Sequence, residues 1–91
     1  MKLWSFSGAW CQPCQQQKPI VKKFIETHPD VVLNYCDVSE PAAQSRANNW
    51  MVTTVPTLVL TDDNENVLAA QSGMHDAKRL EGLYQQARAR L

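Results

Sequence analysis

Apolar positions along the chain change their spacing in a regular way, and each change marks an element. Leu3 to Phe6 is a short apolar and aromatic run ending at Ser7-Gly8, the pattern of a strand. From Cys11 the spacing turns helical: Ile20, Val21, Phe24 and Ile25 form one stripe, and Lys18, Lys22, Lys23 and Glu26 lie mostly off it. Pro19 falls inside this segment and is expected to kink the helix rather than abolish it. After the turn His28-Pro29-Asp30, the run Val31 to Val38 is apolar on both faces except at Asn34. That predicts a second strand, central in the sheet and covered by helices on both sides.

Ser39 to Pro41 reads as a helix start, with Ser39 available to cap free amides and proline tolerated in the first turn. Ala43, Ala47 and Trp50 follow at helical spacing. Thr57 to Thr61 predicts a third strand, Asp62-Asp63-Asn64 a tight turn and Val67 to Gln71 a fourth strand, together a hairpin. Ser72-Gly73 breaks it, and Asp76 opens a last helix with Leu80, Leu83, Tyr84, Ala87 and Leu91 along one face. The order βαβαββα begins with a right-handed parallel crossover, and the hairpin adds antiparallel strands. An α/β fold follows: a four-stranded mixed sheet flanked by three helices, the first and last on one face and the middle one alone on the other. Exposed apolar surface is expected on that less covered face.

Composition narrows the function. Ninety-one residues give one domain, residues 1–91, with a single core. With 44% apolar and 20% charged residues the chain is neither collagen-like nor disordered. Nine Lys or Arg balance nine Asp or Glu, so no long-range field collects nucleic acid or an anionic membrane. No apolar run approaches the roughly 20 residues of a membrane span. No apolar stretch of signal-peptide length follows Lys2 before polar Ser7 and Gly8, and the expected location is the cytoplasm. Three cysteines, an odd number, do not make the disulfide framework of a secreted mini-protein.

The chemistry concentrates at Trp10-Cys11-Gln12-Pro13-Cys14, where the first strand hands over to the first helix. Free amides and the positive end of the helix dipole stabilise a thiolate there, so Cys11 is expected to ionise more readily than a free thiol. Two cysteines on one helical turn can close a disulfide, the outer one attacking and the inner one resolving a mixed disulfide. Pro13, lacking an amide hydrogen, suits the first turn. Half of a zinc site is the competing reading; the other possible ligands, Cys36, His28 and His75, are scattered and lack zinc-knuckle spacing.

These residues resemble the thioredoxin family. The Trp-Cys-x-Pro-Cys form, Pro19 at the interval where that family kinks its active-site helix, Val55-Pro56-Thr57 in place of its cis-proline segment, and Gly73 in place of its groove glycine occur in the expected order. The resemblance implies a cis Val55-Pro56 bond and a substrate groove lined by Trp10, Val55, Pro56 and Gly73. Catalysis would rest on Cys11 and Cys14, with no cofactor and no metal. It further implies a monomeric protein-disulfide reductase acting on disulfide-containing client proteins, with a thioredoxin-reductase-like flavoenzyme as electron donor.

Against the family pattern, the chain opens on the strand that leads into the cysteines, without an earlier strand and helix, a layout closer to the minimal glutaredoxin-like core. Ser5 stands where thioredoxins commonly bury an acid, and a hydroxyl is no base near neutral pH. Gln12 replaces the usual glycine between the cysteines. Ser72-Gly73-Met74-His75-Asp76 only partly resembles the glutathione-holding element of glutaredoxins. Two rival readings are therefore a glutathione-linked, glutaredoxin-like electron donor and a redox-independent binding subunit using the same groove.

Other residues read as structural. Cys36 reads as a small buried hydrophobe, His75 and His28 as loop histidines outside the site, and Trp4 and Trp50 as core. Trp10 is expected to be exposed. Lys78, Arg79, Arg88 and Arg90 read as a solvated helix face.

Overall fold

A computed structural model describes residues 1–91. In chain order the elements are β1 (Lys2–Ser7), α1 (Gln12–Thr27), β2 (Val32–Asp37), α2 (Pro41–Asn49), β3 (Thr57–Thr61), β4 (Val67–Ser72) and α3 (Ala77–Arg88). The sheet order is β2-β1-β3-β4. β1 pairs parallel with β2 and antiparallel with β3, and β3 pairs antiparallel with β4. The mixed four-stranded sheet and the three helices are those the pattern predicts. Pro19 lies inside α1 without ending it.

Alternation along the strands divides the interior between two faces. Leu3, Leu58, Leu60 and Leu68 pack with Val21 and Phe24 of α1 and Leu80, Leu83, Tyr84 and Ala87 of α3. On the opposite face Trp4, Phe6, Cys36 and Val59 meet only Ala43 and Ala47 of α2, with Trp50 half-buried beside them. Here Trp4 meets Trp50 edge to face at 5.2 Å, and the Arg46 guanidinium lies 4.1 Å from the centre of the Trp4 ring. Arg46 also pairs with Glu65 of the hairpin loop. The Trp4 indole N–H donates to the buried Thr61 hydroxyl at 3.0 Å.

Three expectations need correction. β2 is an edge strand, not a central one, and Val32 and Tyr35 are more than half exposed. Its apolar residues find cover mainly at Leu33, against the larger core, and at Cys36, against the smaller one. Ser39 does not cap α2: its N–H and hydroxyl both go to Asp37 Oδ1, and the N-cap position falls on Glu40, whose side chain makes no capping bond. Leu91 lies beyond the end of α3 and is exposed.

Candidate active site

The turn after β1 delivers the cysteines. Cys11 N–H donates to the Gly8 carbonyl at 3.1 Å, closing the turn, and the ring of Trp10 folds over Gly8 so closely that any Cβ there would collide with it. The indole is thereby held at the surface, 69% exposed beside the cysteine. Cys11 is the N-cap of α1 in extended conformation, Pro13 occupies the first turn, and the Cys14 N–H donates to Cys11 Sγ at 3.1 Å. First-turn amides have no partner within a helix, and here the sulfur supplies one. A negative charge on that sulfur would retain the same donor and meet the positive end of the helix.

Cys11 and Cys14 are joined as a disulfide, with Cα atoms 5.2 Å apart. Cys11 is 8% exposed and Cys14 only 1%, so Cys11 is the less buried of the two. Trp10 and Val55 line one groove of about 330 Å³ together with Val38, Gln44, Ala47 and Val52. The Val55-Pro56 bond is cis. Gly73 has φ +89°, in the region that favours glycine, and its N–H donates to the Pro56 carbonyl at 2.8 Å. The structure thus joins Trp10 to Val55 through the groove, and Pro56 to Gly73 through the backbone.

Ser5 is buried on β1 where the resemblance would place an acid, and no carboxylate or lysine is among the buried side chains. Cys36 is buried on β2, and desolvation pushes its thiol pKa up, with the nearby Arg46 charge pulling the other way. His28 stacks on Phe24 at 3.9 Å and its Nε2 lies 2.8 Å from Glu81, an anchor between α1 and α3. No three His, Cys, Asp or Glu side chains converge as a metal set would require.

His75, a loop histidine by its place in the sequence, is 1% exposed. Its burial is made possible by Gln17, equally buried, whose carboxamide accepts the His75 N–H at 2.7 Å and donates to the His75 carbonyl at 2.9 Å. Gln17 follows Cys14 by three residues and so shares its inward face of α1, a spacing that could have flagged it. The run Gln15-Gln16-Gln17 masked that signal, because apolar periodicity does not distinguish one glutamine from the next.

A CxxC disulfide at the head of the first helix of a βαβ unit, with a cis-proline loop lining the adjacent groove, places this molecule among the thioredoxin-fold dithiol proteins. The family model described as Thioredoxin matches residues 2–86, and the chain belongs to the thioredoxin family. It is 34% identical over 79 residues to mitochondrial thioredoxin-3 of Saccharomyces cerevisiae, covering 78% of this chain and 61% of that one. With thioredoxin-1 of Caenorhabditis elegans it shares 26% over 74 residues, covering 81% and 63%. The chain therefore spans a little over three fifths of the length of these two relatives, 61% and 63%. The crystal structure of oxidised yeast mitochondrial thioredoxin 3 superposes with a TM-score of 0.80 at 30% identity, covering 92% of this chain and 76% of that one. A mutant thioredoxin from Halobacterium salinarum gives 0.80 at 32% identity, covering 94% and 74%.

Proposed function

We propose that the protein is a thiol-disulfide oxidoreductase that reduces protein disulfides by cycling Cys11 and Cys14 between dithiol and disulfide. The observation that carries this reading is the disulfide itself, with its outer sulfur accepting the Cys14 amide at the start of α1. In the reducing direction the Cys11 thiolate attacks one sulfur of a client disulfide. A Cys11-client bond forms, the client S–S bond breaks, and the departing client thiolate takes a proton. The Cys14 thiolate then attacks Cys11 Sγ, closing the Cys11–Cys14 bond and releasing the second client thiolate, which is protonated in turn. Two electrons have passed from the protein to the client, and an external donor must return them. A thioredoxin-reductase-like flavoenzyme is the proposed donor, the protein acts as a monomer, and a reducing compartment such as the cytoplasm is its proposed location.

The difference in access between the two sulfurs supports this division of roles. Cys11→Ser is expected to abolish turnover with a protein disulfide, and Cys14→Ser to accumulate a mixed disulfide visible by mass spectrometry as protein plus client. Equal activity in the two variants would sink the mechanism. A Cys11–Cys14 potential near about −270 mV would fit a reductase, and one near about −120 mV would reverse the direction. Turnover sustained by glutathione and its reductase alone would favour the glutaredoxin-like reading.

A further inference from the structure

The loop between β4 and α3 is held by an unbroken set of hydrogen bonds that begins on the helix bearing the cysteines. Gln17 pairs both backbone groups of His75, at 2.7 Å and 2.9 Å. The His75 Nδ1 lies 2.9 Å from the Gly73 carbonyl. A carbonyl only accepts, so Nδ1 carries the hydrogen and donates it. Gly73 N–H in turn holds the Pro56 carbonyl at 2.8 Å. Four backbone groups across this stretch are left without a partner in the chain: the N–H and C=O of Val55, and those of Met74. Val55 precedes the proline and Met74 follows the glycine, so the tethered loops present the kind of unpaired edge that an extended polypeptide can join.

We propose that Gln17 and His75 are a positioning pair that fixes the Gly73-Met74 loop and the Val55-Pro56 loop relative to Cys11. The pair thereby gives preference for disulfides within an extended polypeptide over small disulfides. This rests on the redox reading above. Neither side chain exchanges protons or electrons with substrate; Gln17 replaces the pairing a second strand would give His75, and His75 passes the restraint to Gly73. Burying a polar pair here has a cost in an apolar interior, and the buried His75 Nε2 has no hydrogen-bond partner within the chain.

The test compares reduction of a disulfide-linked extended peptide with reduction of bis(2-hydroxyethyl) disulfide, which has no peptide backbone. Gln17→Leu and His75→Leu are expected to lower kcat/KM for the peptide about tenfold or more, mainly through KM, and to leave the small disulfide within about twofold. His75→Asn should retain the peptide preference, because its amide nitrogen can stand where Nδ1 donates while Nε2 is deleted. Equal losses on both substrates, an unchanged peptide rate, or failure of His75→Asn to do better than His75→Leu would overturn the assignment. The His75 comparison stands whether or not Gln17→Leu folds. A wild-type protein inert towards both disulfides would overturn the redox reading and this inference with it, whereas active wild type with unselective variants removes the inference alone.

Discussion

The chain's cysteines lie on different elements and in different surroundings. Cys11 caps a helix and accepts an amide, whereas Cys36 lies in the smaller core with its thiol pKa raised by burial. Reduced protein treated with iodoacetamide near neutral pH should therefore be labelled first at Cys11 and more slowly at Cys36, as peptide mapping would show. Equal labelling rates would contradict the assignment. Cys11 and Cys14 are legible in the sequence by their interval, whereas Pro56 and Gly73 stand out only through the family resemblance. Gln17 and His75 are not legible, since a side chain that pairs with backbone leaves no periodic trace.

At the level of elements, helix ends separate what sequence shows from what it hides. Asp76 was read as the start of α3, and its carboxylate accepts the Arg79 N–H at 2.8 Å. Asp76→Ala should cost about 1 kcal/mol, read as a lower urea midpoint with an unchanged slope. Ser39 carried the same type of signal before α2 and failed, because Asp37 takes both of its donors at 2.9 Å and 2.8 Å. Local propensity names a possible cap and cannot say which neighbour claims it. β2 failed for a related reason: an apolar run records that side chains find some cover, not how many elements supply it. β3, by contrast, runs from Thr57 to Thr61 as its pattern predicts, since both its faces are fully covered.

Across the whole molecule, one polar network ties the turn before β2 to the last helix. Tyr84 donates its hydroxyl hydrogen to Asp30 at 2.7 Å, and Arg88 donates to the Tyr84 oxygen at 3.3 Å. That hydroxyl holds the Asp30 pKa below the ordinary aspartate range, and the same bond raises the pKa of Tyr84. For a lowered carboxylate, stability is present above the unfolded-state pKa and lost as pH falls through the folded value. For the raised phenol, it is present below the unfolded-state pKa and lost as pH rises through the folded one. Urea unfolding across a pH series should therefore show stability declining on both limbs, each less steeply in Tyr84→Phe. The acid limb will not flatten, because Asp37, Asp62 and Glu65 are lowered by their own hydrogen bonds. An unchanged acid limb in the variant would show that the Asp30 bond is not maintained in solution.

The two faces of the sheet are unequal: twelve buried residues pack under α1 and α3, and six under α2. α2 has nine residues, no side-chain cap and only Ala43 and Ala47 fully inward, yet Gln44, Ala47 and Asn48 line the groove beside Trp10. Local opening draws on the least buried elements first, so α2 can breathe without loss of the main core. The groove therefore has a compliant bank on the α2 side and a second bank at Val55, whose neighbour Pro56 is tied to Gly73. Under the proposed reductase function, the cysteine end of the groove would stay steady while its α2 bank yields to clients of different shape.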